Sequence, residues 1–283
     1  MTRPLGAHVR ALRPQCWVRN AVVFAPLIFA RPSQPAQAWL AALPAAAGFC
    51  LVASAVYLVN DLHDVHEDRA HPTKRARPVA SGEIGKRDAG AMLAFLSLSI
   101  LLWLLLFPAL APAFGAYVTI QLAYTFALRS LPVADLAAIG AGYAVREYAG
   151  ASAAAFSAPV WLMASTALLV MFLAGTKRRC EASRGGPYRR PNLWFYRSPQ
   201  SAPAIRRLGS SAVAAYACGV AFLQPAFLPS VPLVALAVRR YWSSTSGQTA
   251  GEVPEEVLLG DRWLMGLTLS IVAVCLAILF WGR

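Results

Sequence analysis

Between residues 60 and 68 the chain reads Asn60-Asp61-Leu62-His63-Asp64-Val65-His66-Glu67-Asp68, which places four acids in eight residues and nearly a third of the protein's 13 in one stretch. Asp61, Asp64 and Asp68 recur at i, i+3 and i+7, the spacing that lines one face of a helix. Carboxylates stacked that way repel one another, so the pattern asks for a cation. The simplest is a divalent metal carrying a phosphorylated substrate. Lys74, Arg75 and Arg77 follow at once, three cations within four residues. Acids beside bases suit a polyphosphate: the metal neutralises one group of phosphate oxygens while the bases hold another. The same run also reads as a solvated loop with local ion pairs. Ligation by carboxylates alone favours a hard cation such as Mg2+ over zinc. His63, His66 and His71 are three of the chain's four histidines. Their spacing fits no zinc pattern and no cysteine assists them; they flank the acids or contact phosphate.

The elements that must position these residues belong to a membrane protein. Apolar residues make up 58% of the chain and charged residues 14%, against about 25% charged in soluble domains. Several apolar runs approach the roughly 20 residues that cross a bilayer core. The pattern predicts an all-α integral membrane protein, a single polytopic domain over 1–283, with nine helices near 17–34, 38–60, 89–108, 111–128, 133–153, 158–176, 209–224, 227–240 and 262–281. The runs are continuous rather than alternating, which argues against a β-barrel.

With the N-terminus in the cytoplasm, segments 1–16, 61–88, 129–132, 177–208 and 241–261 lie inside. Of 26 Lys and Arg, Arg31 and Arg283 then fall outside, Arg146 within a helix, and the other 23 inside or at inner helix ends, as the positive-inside rule requires. The expected location is the inner (plasma) membrane, multi-pass, with the site facing the cytoplasm. The N-terminus carries no well-placed small-residue cleavage site, so it reads as no removable signal. Five scattered cysteines suggest buried apolar side chains rather than a disulfide framework. Part of the net charge of +13 is what any basic cytoplasmic face shows toward anionic lipid. The chain has no basic-aromatic surface of a soluble type, so nucleic acid is not an expected partner.

Two charges stand inside an apolar helix. Asp135 and Arg146 are eleven positions apart, about three turns and hence one face. Ionisable groups there mark function by default; mutual satisfaction across the bundle, with Glu147 as partner to Arg146, is the structural alternative. The stretch from Arg184 to Arg207 carries six arginines interleaved with Tyr188, Trp194, Phe195 and Tyr196. It reads either as an interfacial segment or as a cover for the site. Glu252, Glu255 and Glu256 read as a solvated acidic turn, or as a cap on substrate hydroxyls. Gly140-x-Gly142 and Gly150-x-Ser152 permit close helix packing and are compatible with a homo-oligomer.

The motif Asn60-Asp61-x-x-Asp64-x-x-x-Asp68 resembles the first aspartate motif of the UbiA superfamily of intramembrane prenyltransferases. The run His71-Pro72-Thr73-Lys74-Arg75-x-Arg77-Pro78-x-Ala80-x-Gly82 is similar to its decaprenyl-phosphate phosphoribosyltransferase branch. So are Arg13-Pro14-Gln15-x-Trp17-Val18-Arg19-Asn20 near the N-terminus and Ala250-Gly251-Glu252-x-Pro254-Glu255-Glu256-x-x-x-x-Asp261-Arg262 in the last inner loop. The resemblance implies nine helices around a central cavity. It also implies Mg2+-dependent transfer of phosphoribose from phosphoribosyl diphosphate to a polyprenyl phosphate embedded in membrane lipid, with release of diphosphate. Within it, Asp61, Asp64 and Asp68 are the metal-holding, catalytic carboxylates. Arg19, Asn20, Asn60, Lys74, Arg75, Arg77, Tyr124, Asp135, Arg146, Lys177 and Arg178 are the candidate substrate-binding residues, the last two because Lys177-Arg178-x-x-Glu181 resembles the family at that place. Cell-wall arabinan synthesis is the pathway the branch implies.

The usual superfamily member takes a prenyl diphosphate donor and an aromatic acceptor, with a second pair of acids four residues apart. Here that region reads Tyr124-Thr125-Phe126-Ala127-Leu128-Arg129 and then a single Asp135, which favours the phosphoribosyl branch. A transporter is the alternative of another class; no inverted repeat or matching pair of broken helices accompanies the intramembrane charges.

Overall fold

The computed structural model describes residues 5–30, 35–184, 192–245, 257–258 and 260–281. All regular structure among them is helical. The principal helices are α1 (Leu5–Leu12), α2 (Ala25–Ala30), α3 (Pro35–His63), α4 (Val65–Ala70), α5 (Pro78–Ser81), α6 (Lys86–Leu106), α7 (Ala111–Phe126), α8 (Ala134–Ala153), α9 (Val160–Arg184), α10 (Leu193–Arg197), α11 (Ser201–Leu223), α12 (Ser230–Thr245) and α13 (Arg262–Trp281). Four are long and apolar enough to cross a membrane: Ala36–His63, Lys86–Leu106, Val160–Ser183 and Arg262–Leu279. At about 1.5 Å per residue, α3 alone reaches roughly 40 Å, more than a hydrocarbon core. Along α6, Phe95, Leu98, Leu101, Leu102, Leu105 and Leu106 are all exposed, the last two above 70%. An unbroken leucine face of that kind is stable against lipid and not against water.

The first expected segment, 17–34, is not one helix. Pro14–Phe24 is an eleven-residue 3-10 helix that passes into the short α2 at Ala25. The junction between the two has a local reason. Pro26 has no N–H to give the Val22 carbonyl, and Ala25 donates to it instead, one residue early. The other eight segments each centre on a single helix, although 89–108, 111–128 and 227–240 run past its end into a short 3-10 turn, and several of the helices extend further. Helix α9 in particular runs through Lys177, Arg178 and Glu181.

The chain forms two compact units. One draws on Met1–Leu27, Pro32–Phe126 and Val145–Ser157, the other on Ile28–Arg31, Ala127–Ala144 and Ala158–Arg283, so the division falls inside α8. The first unit has two apolar clusters. Val23, Leu27, Phe49, Val52, Phe114, Tyr117 and Ala149 fill one. Ala7, Ala11, Leu58, Val65, Val79, Ile84 and Leu96 fill the other, packing α1, α3, α5 and α6 together beneath the acid motif. Trp103 Nε1 adds a 3.1 Å bond to the Pro44 carbonyl, tying α6 to α3. In the second unit, Leu136, Phe172, Leu193, Tyr196, Ile205 and Tyr241 form a core. Asp261 caps α13, accepting from the N–H groups of Trp263 (3.0 Å) and Leu264 (3.2 Å), while Arg240 Nε donates to its other oxygen at 2.7 Å.

Two glycines marked by the sequence as close-packing positions pack within the chain. A Cβ at Gly140 would sit 2.9 Å from the Ala167 carbonyl oxygen, and one at Gly150 only 1.8 Å from that of Val23. The second approach draws α8 against the 3-10 segment, which brings Arg146 within reach of Asn20. Gly150→Ala therefore lowers stability by about 1–3 kcal/mol through overpacking, read as a lower melting temperature in detergent. Gly115→Ala, where a Cβ meets nothing within 4 Å, is the matched control and leaves the melting temperature unchanged or slightly higher.

Candidate active site

Helix α3 ends on the motif. Its ladder continues through the bend, with Asp64 N–H bonded to Asn60 O (2.9 Å) and Asp68 N–H to Asp64 O (2.8 Å). Asp64 itself has left the helical well, with φ −92° and ψ 10°. Asp61 thus closes α3, Asp64 stands at the bend and Asp68 lies in α4. The expectation of three carboxylates on one helical face is corrected here. Past Asp64 the side chains no longer follow the rotation set by α3.

Asp61 and Asp68 converge, and a cation lies between them. Arg77 NH1 reaches Asp61 Oδ1 at 3.3 Å and Asp68 Oδ2 at 2.6 Å, with both acid side chains only 2% exposed. Arg13 NH2 also donates to Asp61 Oδ1. The repulsion that seemed to require a metal is already offset by guanidinium groups, one from the basic run and one from the N-terminal segment. Asp64 Oδ1 lies 3.9 Å from His63 Nε2. Among the described residues no three acids, histidines or cysteines gather closely enough to hold one ion.

One atom is left over. Asp61 Oδ2 is buried and accepts no hydrogen bond. A buried carboxylate oxygen without a donor is costly, and a hard cation would meet its lone pairs. The residues present therefore fit Mg2+ at the open oxygen of Asp61.

The same unit holds further polar contacts. Thr125 Oγ1, from α7, donates to Asn60 Oδ1, and also lies 2.8 Å from the Gln121 carbonyl. This fixes the orientation of the Asn60 amide. Arg146 Nε donates to Asn20 Oδ1 at 2.9 Å and its NH2 to Tyr117 Oη at 2.7 Å. The guanidinium centre is 4.5 Å from the Tyr117 ring centroid and 5.6 Å from that of Phe49, a cation–π enclosure suited to a charge out of water. Glu147 is fully buried. In the turn after α4, His71 Nδ1 accepts from the N–H groups of Thr73 and Lys74, both at 3.3 Å. That histidine shapes the basic run. Lys74 is half-buried, Arg75 and Arg19 are exposed, and Tyr124 is half-buried beside Thr125.

The second unit holds its own buried cluster. Asp135, fully buried, accepts from Arg178 Nε at 3.1 Å and from Tyr196 Oη at 2.8 Å. Arg178 NH1 also donates to Glu181 Oε2 at 3.4 Å. Burial, and then the Asp135 charge, push the Tyr196 hydroxyl well above the usual phenol range, which keeps it a donor. Asp135 and Arg146, expected on one helix face, thus work with different partners: Asp135 with Arg178, Arg146 with Asn20 and Tyr117. Lys177 is half-buried next to Arg178. Glu252, Glu255 and Glu256, with residues 185–191 of the arginine-rich stretch, lie outside the described residues.

Four contributors were not singled out from the sequence: Arg13, Tyr117, Thr125 and the specific role of Tyr196. Arg13 lay within a motif that was read for Arg19 and Asn20. Tyr117 and Thr125 give no local signal, being ordinary residues of an apolar helix. Removing Arg77 leaves two buried carboxylates undercompensated, so Arg77→Met costs about 3–5 kcal/mol of stability. In the double variant with Asp68→Asn much of that stability is recovered; equal losses in thermal unfolding of single and double variants would refute the pairing.

Comparison with known proteins places this geometry. The model of the UbiA prenyltransferase family matches residues 21–257. The chain is 33% identical to the decaprenyl-phosphate phosphoribosyltransferase of Mycolicibacterium smegmatis, over 97% of this chain and 92% of that protein. It is 35% identical to the enzyme of the same name from Corynebacterium glutamicum, over 93% and 84%. A UbiA homolog from Archaeoglobus fulgidus, solved bound to GPP and Mg2+, superposes with a TM-score of 0.70 at 17% identity, covering 96% of this chain and 99% of that one. A family match over most of the chain and near-full-length relatives at this identity carry one conclusion: the chain belongs to the UbiA prenyltransferase family.

Proposed function

We propose that this protein transfers the 5-phosphoribosyl group from phosphoribosyl diphosphate to a polyprenyl phosphate and releases diphosphate. The observation that carries the reading is Asp61 Oδ2, a buried carboxylate oxygen without a donor, set beside Arg13 and Arg77. An anion site that also leaves a lone pair open suits a diphosphate presented with a divalent ion. The likeness to enzymes named decaprenyl-phosphate phosphoribosyltransferase supports the choice of donor and acceptor.

The chemistry asks for little acid or base. The bond from the anomeric carbon to the diphosphate oxygen breaks, and its electron pair leaves with diphosphate. The ribose ring becomes oxocarbenium-like, by analogy with other glycosyl transfers. An oxygen of the polyprenyl phosphate, already anionic at neutral pH, forms the new bond, so positioning matters more than proton removal. Asp61 and Asp68 are the residues that would hold Mg2+, with Asp64 the candidate third ligand from the bend; when bound, the ion would supply positive charge to the departing diphosphate. Arg77, Lys74 and Arg75 hold phosphate oxygens from the basic run, and Asn60, oriented by Thr125, presents its amide beside Asp61. Lys177 is a candidate phosphate ligand from α9, while Arg178 is engaged by Asp135 and Glu181. Arg19, Asn20, Tyr124 and Arg146 complete the candidate substrate-binding set.

The two substrates differ in phase, which accounts for a catalyst built into membrane. The donor is soluble, so we place the basic segments and the site on the cytoplasmic side of the plasma membrane. The acceptor's tail stays in lipid, against apolar faces such as that of α6.

Purified protein in detergent, given labelled phosphoribosyl diphosphate, a polyprenyl phosphate and Mg2+, yields a lipid-soluble labelled product. The product disappears with chelator, and Asp64→Asn slows its formation by about a hundredfold or more. Transfer only from a prenyl diphosphate to an aromatic acid would instead assign the other chemistry of the superfamily. Absence of transfer with either pair would contradict an enzymatic role.

A further inference from the structure

Arg13 is held in an unusual way. Its backbone is left-handed, φ 53° and ψ 57°, a conformation that residues other than glycine rarely adopt and that persists only where neighbours enforce it. The neighbours here are Ser54 and Trp17. Ser54 Oγ, from α3, donates to the Leu12 carbonyl at 2.8 Å. Trp17 Nε1 donates to the same hydroxyl at 3.0 Å. The Leu12 carbonyl just before Arg13 and the Trp17 side chain four residues after it are thus both held by one side chain of α3, and Pro14 follows directly. What the clamp achieves is the delivery of one guanidinium to Asp61 Oδ1, stacked 4.9 Å from the Tyr57 ring centroid.

The charge at that point is redundant. Asp61 Oδ1 receives both Arg13 and Arg77, while Oδ2 receives nothing. Arg77 has a second carboxylate in Asp68 and stays paired whatever happens at Asp61. Asp61 is the acid the described structure gives Arg13. A divalent cation arriving at Asp61 repels both guanidinium groups, and Arg13, which has no second carboxylate among the described residues as Arg77 has in Asp68, is the one displaced at least cost. A free diphosphate, bound next to that cation, offers the displaced guanidinium a matching anionic partner.

We propose that Arg13 is an exchangeable counter-ion: it neutralises Asp61 in the absence of metal and passes to the donor's diphosphate when metal takes the carboxylate. This rests on the reading of the acid motif as a diphosphate site, but not on which group is transferred. It makes Arg13 a competitor of metal and a ligand of diphosphate, two roles with opposite signs under mutation.

The test uses Mn2+ and inorganic pyrophosphate on the full chain in detergent, with Mn2+ binding followed by electron paramagnetic resonance. In Arg13→Gln, Mn2+ alone binds severalfold tighter than in the unaltered protein, because its competitor is gone. Pyrophosphate in the presence of Mn2+ binds at least tenfold weaker. Arg13→Lys keeps the charge, leaving Mn2+ affinity near the unaltered value and weakening pyrophosphate by less; this variant also decides the matter should Arg13→Gln fail to fold. Parallel weakening of both ligands in Arg13→Gln would mean a purely structural arginine and overturn the inference, as would no change in either. For Arg13→Lys, pyrophosphate binding equal to the unaltered protein's would do the same. The transfer assay reports separately on the reaction: failure there with an intact Mn2+ and pyrophosphate pattern removes the phosphoribosyl reading and leaves the counter-ion role standing.

Discussion

Two carboxylates buried side by side at the end of a membrane-spanning helix set the terms for everything near them. Asp61 and Asp68 are almost wholly removed from solvent, and two like charges in that setting are untenable without cations in contact. Arg77 bridges them from the run that follows α4, and Arg13 reaches one of them from the N-terminal segment. Much of the local architecture serves that requirement. The bend at Asp64 turns α4 so that Asp68 meets Arg77. His71 folds the turn that carries the basic run. The Ser54 clamp holds the left-handed Arg13 in place. A site stabilised by guanidinium groups is also one prepared for phosphate, since the same donors suit either anion.

Buried charge elsewhere follows the same rule with different partners. Arg146 is enclosed by aromatic faces and neutral oxygens in the first unit. In the second, Asp135 is closed off by Arg178 and by a tyrosine that burial keeps protonated. A strained Val133, φ 68°, precedes Asp135 by two residues. Backbone strain thus accompanies two of the chain's buried acids: Arg13 itself holds Asp61, and Val133 leads into Asp135. That is where stored strain is expected when a site, rather than the fold alone, dictates geometry.

Much of this was legible in the sequence, for physical reasons. The apolar runs announced α3, α6, α9 and α13 because the hydrocarbon core imposes length and composition on every crossing. The acid motif and the basic run were legible because charge is rare in such a chain, and a cluster must do something. The bend at Asp64 was not, since spacing alone assumes an unbroken helix. Nor was the 3-10 stretch, whose junction with α2 follows the missing N–H at Pro26. The contacts of Arg13, Thr125 and Tyr117 span 48, 65 and 29 positions, and no local pattern encodes them. For the same reason the sequence supplied a metal as the offsetting cation where the fold supplies arginines first.

The most direct measurement is a crystal or cryo-electron microscopy structure with phosphoribosyl diphosphate and Mn2+, read for where the metal sits. Metal density is expected in coordination contact with Asp61 Oδ2, with a diphosphate bound to it and the Arg13 guanidinium moved from the carboxylate to phosphate oxygens. Density elsewhere, with Asp61 and Asp68 still locked in their pairs with Arg13 and Arg77 and no phosphate against them, would contradict that expectation.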